Sequence, residues 1–175
     1  MPMKTGKPAT RARPKKASRG RKRAAVELNV QYATRSRTVP APEDFGKWVG
    51  AAMTSDARIT VRLVGLDEGR ALNRDYRGKD YATNVLTFVL DEGPPYQGDL
   101  ALCAPVVSRE ARAQGKDVIA HYAHLTVHGV LHLQGHEHED EPQAVAMEKL
   151  ETRIMKRLGY ADPYAVPHGH GRHTQ

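Results

Sequence analysis

The chain has 175 residues and a formal net charge of +7, and 39% of its residues are hydrophobic, as is typical of one soluble domain with a buried core. Its single cysteine, Cys103, excludes an internal disulfide and any metal cluster of several cysteines; we expect no disulfide partner and a reducing, cytoplasmic location. No apolar run approaches the roughly 20 residues that a membrane-spanning helix needs, so we expect no membrane association.

The positive charge is concentrated at the amino terminus. Residues 1–26 hold ten of the 27 Lys and Arg side chains and no acid, which leaves 17 basic and 20 acidic residues in the rest of the chain. We expect residues 1–24 to form a disordered basic extension. Such an arm either binds phosphate groups, with an affinity that falls as salt rises, or only improves solubility.

Residues 25–164 are predicted to form one folded domain. Four segments have the apolar alternation or the short apolar run of strands: VELNVQY (26–32), RITVRLV (58–64), NVLTFVL (84–90) and GDLALCA (98–104). The last two flank a turn-rich segment, so we expect them to pair antiparallel.

Helices are predicted between and after these strands. A helix entered through prolines follows the first strand, and a shorter helix ends near Gly78. The rest of the domain is mostly helical, with helices expected at about 105–114, 117–134 and 141–158. These elements predict an α+β domain with four strands and flanking helices. Residues 165–175 form a tail rich in His and Gly.

The histidines are the main candidates for a functional site. His128 and His132 lie one turn apart on the predicted helix, at the spacing by which two imidazoles bind one ion. Gly135 is suited to end that helix and turn the chain, so that His138 returns as a third ligand, with His136 as the alternative. Three protein nitrogens and one open position are typical of catalytic zinc. The competing interpretation is a set of histidines packed in the core.

The histidine motif lacks the glutamate of zinc peptidases, because Gly129 occupies its position. Peptide hydrolysis thereby loses its proton shuttle, whereas phosphodiester cleavage depends less on such a base. The motif therefore favours a metal-dependent hydrolase for an anionic substrate. Two alternatives stay open: a zinc peptidase-like hydrolase with Glu137 or Glu139 as base, and a non-catalytic protein with a structural metal.

Four stretches of the chain resemble the YbeY family of bacterial endoribonucleases: LNRDYRGKDYATNVLTF (72–88), GDLALC (98–103), HLTVHGVLHLQGHEH (124–138) and MEKLETRIMKRLGYADPY (147–164). The resemblance implies a small mixed four-stranded sheet with flanking helices, and a metal held by a helix and the loop that follows it. It further implies a single-strand-specific endoribonuclease that uses one zinc ion per chain. The implied role is 16S ribosomal RNA 3′-end maturation and ribosome quality control, with ribosomal RNA and the small ribosomal subunit and its proteins as partners. With this resemblance, the non-catalytic alternative becomes a ribosome-assembly factor with a structural metal.

By motif position, the resemblance implies that His128, His132 and His138 are the metal ligands. It also implies that Arg77 is a catalytic and RNA-binding residue, since its planar guanidinium suits a phosphate near the metal. An ordinary surface arginine is the alternative for this position.

Three further side chains are possible supports of the site: His124, Asp99 and His136. His124 either hydrogen-bonds a ligand, carries a proton or is simply packed on the helix flank. Asp99 either orients a ligand or a basic side chain, or closes a turn after Gly98. The chain also departs from the family pattern, with Asn84 where the family often has Asp and His136 where it usually has Tyr.

Overall fold

The computed structural model describes residues 23–165. Most of the predicted basic extension and nearly all of the His- and Gly-rich tail lie outside the described residues. Within them, no helix is long and apolar enough to cross a membrane.

Four strands and five helices follow one another along the chain: β1 (Val26–Ala33), α1 (Pro42–Ala52), β2 (Ala57–Val64), α2 (Leu66–Arg77), β3 (Val85–Asp91), β4 (Tyr96–Cys103), α3 (Ala104–Ala113), α4 (Val118–Leu133) and α5 (Glu141–Arg157). The strands form one sheet in the order β1-β2-β4-β3. β1, β2 and β4 are mutually parallel, whereas β3 pairs antiparallel with β4 at the edge. The predicted α+β fold and the antiparallel pair are confirmed.

One face of the sheet carries the main hydrophobic core. Leu63, Leu100 and Leu102 are fully buried there and belong to one cluster with the apolar side chains of α1 and α4. α4 is the central helix, with buried residues on most of its circumference, including Tyr122 and Val130. Because it is packed so tightly, the histidines that it carries have little freedom to move.

Two glycines allow α4 to lie close to the sheet. A Cβ atom on Gly98 would lie 2.2 Å from Leu133 Cδ2, and a Cβ atom on Gly129 would lie 2.6 Å from Leu100 Cδ2. Such separations are far below van der Waals contact. Gly129 therefore has a packing reason as well as the chemical one inferred from the sequence.

The ends of the helices follow local signals. α2 ends at Gly78, which adopts a left-handed conformation with φ of 69°, as predicted. After α4, Gly135 has φ of 86° and turns the chain away from the helix axis. Asp140 then caps α5 by accepting a hydrogen bond from the Gln143 amide at 2.8 Å. These two turns bound the short loop that carries His138.

Candidate metal centre

Three predicted ligands converge at the carboxyl end of α4. The Nε2 atoms of His128 and His132 lie 3.0 Å apart, and His138 returns on the following loop to complete the group. One ligand atom from each ring lies within 4.8 Å of the others. His138, rather than His136, is the third member, and His136 is exposed beside a separate cavity against α5.

The geometry and chemistry of this group fit a divalent metal. Two nitrogens bound to one tetrahedral zinc at roughly 2.0–2.1 Å would lie roughly 3.3 Å apart. The 3.0 Å between the His128 and His132 nitrogens needs only a small adjustment to reach that separation. Three imidazoles leave one position open, as catalytic rather than structural sites do.

A buried carboxylate on α5 orients the first ligand. Glu151 is fully buried, and its two oxygens accept hydrogen bonds from His128 Nδ1 at 2.6 Å and from His124 Nε2 at 2.5 Å. The Tyr164 hydroxyl donates to it as well. With Nδ1 of His128 protonated, the Nε2 lone pair faces the other two histidines. Carboxylates behind ligating histidines commonly fix the ring in this way.

The charge state of Glu151 follows from competing effects. Burial raises the pKa of this carboxyl group, but the hydrogen bonds from His124, His128 and Tyr164 outweigh burial and lower the pKa to about 2. Glu151 is therefore ionised at neutral pH. In His132, burial and the neighbouring His128 and His138 rings lower the pKa of the imidazole. That favours the neutral form, which is the form that binds metal.

Sequence reasoning did not identify Glu151, although a local signal existed. Met147, Glu151 and Met155 are spaced four residues apart, so they share one face of α5. Both methionines are buried. A charged residue in the apolar stripe of an amphipathic helix is almost always paired, and that pattern marks Glu151 as a residue with a buried partner.

Arg77 lines the same cleft as the three histidines. It ends α2, it is exposed, and it lines a cavity of about 450 Å³ together with the three ligands and residues of β3. The two preceding arginines of α2 are engaged elsewhere, Arg70 with Asp80 and Arg74 with Asp75. Arg77 forms no ion pair within residues 23–165, so its guanidinium is free to bind an anion in the cleft.

The structure does not bring every predicted residue to this cleft. Asp99 lies between Gly98 and Leu100 on β4, and both neighbours face α4. Because side chains alternate along a strand, Asp99 points to the opposite face of the sheet, beside Arg58 in another cavity. His124 does reach the site, but only through Glu151.

His121 shares the helical face of the ligands but has a separate partner. Its Nε2 atom lies 2.9 Å from a carboxylate oxygen of Glu110, and only 5% of its side chain is exposed. Glu110 also accepts a hydrogen bond from Asn84, which lines the metal cleft. Burial lowers the pKa of His121. Asn84, where the family often has Asp, thus ties the start of β3 to α3.

Comparison with known proteins identifies relatives of this chain. Residues 29–159 match the model of the family described as Endoribonuclease YbeY. A protein of that name from Nitrosomonas eutropha is 56% identical over 79% of this chain and 99% of its own length. Another from Methylibium petroleiphilum is 57% identical over 82% of this chain and 97% of its own length. The solution structure of TM1509 from Thermotoga maritima covers 78% of this chain and 99% of its own, at 23% identity and a TM-score of 0.49.

Proposed function

The chain belongs to the YbeY endoribonuclease family, and on that basis we propose that it is a zinc-dependent endoribonuclease specific for single-stranded RNA. The proposed biological role is maturation of the 16S ribosomal RNA 3′ end and ribosome quality control in the cytoplasm. The observation that supports the chemistry is that one cleft contains three convergent histidines and Arg77, which has no ion-pair partner among residues 23–165.

In this proposal, His128, His132 and His138 hold the ion. When bound, zinc supplies Lewis-acid chemistry, in that it activates a water or a ribose hydroxyl for attack and offsets charge on the phosphate. The buried Glu151 carboxylate keeps the His128 ring in the orientation that presents Nε2. This preorganisation reduces the movement that binding and catalysis require.

Arg77 acts on the substrate. Its guanidinium donates parallel hydrogen bonds to the phosphate oxygens and stabilises the negative charge that develops on them during attack. Glu137 is an acidic side chain that lines the same cleft, and we propose it as the acceptor of the proton that the attacking hydroxyl loses.

Packing at Gly129 leaves no room for the glutamate that zinc peptidases with this motif carry at this position, so a peptidase-like enzyme would have to take its base from Glu137 or Glu139. Even a Cβ atom there would lie 2.6 Å from Leu100 Cδ2 and 3.2 Å from Thr87 Oγ1. The space that the peptidase base would occupy is filled by the sheet.

The partners proposed for this chain are ribosomal RNA and the small ribosomal subunit with its proteins. Outside residues 1–26 the chain has 17 basic and 20 acidic residues, so the folded domain has little overall attraction for RNA. Ribosomal proteins would then supply part of the specificity, and the basic arm part of the affinity.

A comparison of substrates tests the proposal. Purified protein is incubated with unstructured RNA and, separately, with casein, and His128→Ala serves as the control for the metal site. We expect cleavage of RNA but not of casein, and loss of RNA cleavage in the variant. Casein cleavage alone, lost in His128→Ala, would support the peptidase. Binding to ribosomal subunits without any cleavage would support the assembly factor.

A further inference from the structure

An exposed aromatic ring stands beside Arg77 at the entrance to the cleft. Tyr76 is 61% exposed, and it lines the same cavity as Arg77 and the three histidines. Exposed large apolar side chains are ordinary when scattered but indicate recognition when they border a functional cleft. Tyr76 lies at such a border.

The ring of Tyr76 is held by a second aromatic residue. Phe88 on β3 packs against it with centroids 4.4 Å apart and ring planes at 74°. This T-shaped contact restricts the ring while most of its surface stays exposed. A ring that is already ordered loses little entropy when a ligand stacks on it.

The wall beside Tyr76 is apolar as well. Val89 on β3 lines the cavity and is 43% exposed. The lining of the cleft thus combines aromatic and aliphatic surface with Arg77 and the three histidines. A nucleotide has the complementary pair of features, since a flat base with apolar faces is attached to an anionic phosphate.

We propose that Tyr76 is a stacking platform for one nucleobase of the substrate, next to the phosphate that Arg77 binds. This inference rests on the proposed function and deepens it. It gives a physical basis for a preference for single strands, because a base paired within a duplex has no free face to place on the ring. Stacking is tolerant of sequence, so the platform selects unpaired RNA rather than a particular base.

A matched tyrosine serves as the control for this proposal. Tyr81 is 55% exposed and follows Tyr76 closely in the chain, but it is absent from the lining of the cleft. Its side chain has the same chemistry and nearly the same exposure. Only its position differs, so Tyr76→Ala and Tyr81→Ala separate a local binding effect from the general loss of a surface aromatic.

The experiment uses full-length, zinc-loaded protein and short single-stranded RNAs. We expect Tyr76→Ala to weaken RNA binding on the order of 5- to 100-fold, while Tyr76→Phe, Tyr76→Trp and Tyr81→Ala bind like the wild type. Zinc content should be unchanged in all four, and Tm should be unchanged except in Tyr76→Ala, where loss of the contact with Phe88 lowers it slightly. In RNA with one abasic nucleotide next to the cleavage site, the wild type should lose affinity by a similar factor. In Tyr76→Ala the abasic nucleotide should cause no further loss of affinity, because the ring and the base form one interaction and the variant already lacks it.

Three results would overturn the platform while leaving the proposed function intact. The first is RNA affinity in Tyr76→Ala equal to that of the wild type, and the second is an abasic penalty as large in Tyr76→Ala as in the wild type. The third is a loss of RNA affinity in Tyr81→Ala equal to that in Tyr76→Ala. If the wild-type protein neither binds nor cleaves RNA, the proposed function fails and the platform fails with it. Binding and cleavage of RNA by the wild type therefore distinguish failure of the platform from failure of the proposed function.

Discussion

His128 donates its Nδ1 proton to the buried carboxylate of Glu151, 2.6 Å away. This contact joins α5 to α4 and leaves the other nitrogen of His128 facing His132 and His138. The metal centre therefore depends on a residue that lies 23 positions further along the chain. The first prediction concerns that residue.

Replacing the carboxylate should weaken metal binding. Glu151→Gln keeps the shape of the side chain, but its amide nitrogen cannot accept a hydrogen bond from His124 or His128. We expect zinc affinity to fall roughly 10- to 100-fold and Tm to fall as well, measured by chelator competition and calorimetry. Glu148→Gln, on an exposed position of the same helix, should change neither. Zinc affinity in Glu151→Gln equal to the wild type would contradict the assigned role.

Arg77 should matter for chemistry but not for folding. We expect Arg77→Ala to lower kcat/KM for RNA on the order of 100-fold or more, because a donor to the developing charge is lost. Arg77→Lys should retain only part of the wild-type kcat/KM, since an ammonium group lacks the planar pair of donors of a guanidinium. Zinc content and Tm should stay at wild-type values. Arg74→Ala, one turn earlier and already paired with Asp75, is the control, and full activity in Arg77→Ala would refute the mechanism.

The packing of Gly129 predicts opposite outcomes for two glycine substitutions. Gly129→Ala places a methyl group 2.6 Å from Leu100 Cδ2, and we expect a loss of about 1–3 kcal/mol in the free energy of unfolding. Gly46→Ala in α1 meets nothing within 4 Å and should be neutral or stabilise by about 0.5–1 kcal/mol. Urea unfolding measures both. Equal stability of Gly129→Ala and the wild type would show that α4 has room to move.

Stability should depend on pH through His121. Burial lowers the pKa of this histidine from its ordinary value of 6.5, so below that pH the unfolded chain binds a proton that the folded protein does not. The free energy of unfolding should therefore fall as the pH drops below 6.5, by at most about 1.4 kcal/mol per pH unit for one group. Urea titrations of metal-free protein between pH 7.5 and 5.5 measure the slope.

The variant His121→Leu isolates this contribution. Its stability should vary less with pH than that of the wild type over the same range, whereas His136→Leu at an exposed position should reproduce the wild-type slope. An unchanged slope in His121→Leu would mean that His121 titrates alike in the folded and unfolded states.

The basic arm should make RNA binding sensitive to salt. Removing residues 1–24 takes away ten basic side chains, and each phosphate contact that is lost lowers the slope of log affinity against log salt by roughly 0.7–0.9. We expect weaker binding at low salt and a shallower slope, measured by fluorescence anisotropy. The same slope with and without the arm would identify it as a passive extension.

Much of this architecture could be predicted from local patterns. Alternation identified β1 and β2, and glycines at 78 and 135 identified the ends of α2 and α4. The spacing of His128 and His132 predicted that their rings would lie together, as they do, because one helix carries both. Each of these features depends on neighbours in the sequence, so no knowledge of tertiary contacts was needed.

The remaining features depend on contacts between distant elements. His121 lies on the ligand face of α4, but it is seven residues, or roughly 10 Å of helix rise, before His128, and it pairs with Glu110 of α3 instead. Glu151 comes from another helix altogether. Asp99 is an exception, since the buried Leu100 and Leu102 already indicated that Asp99 faces the other side of the sheet.

Metal analysis combined with an activity assay shows whether RNA cleavage requires a zinc ion held by the three histidines. Purified protein is analysed for bound elements, and cleavage of a single-stranded RNA is followed before chelation, after chelation and after zinc is restored. We expect about one zinc ion per chain, loss of cleavage with chelator and recovery of cleavage when zinc is restored. A variant with His128 and His132 both replaced by Ala should bind no metal and cleave no RNA. Undiminished RNA cleavage by metal-free protein would contradict the zinc requirement.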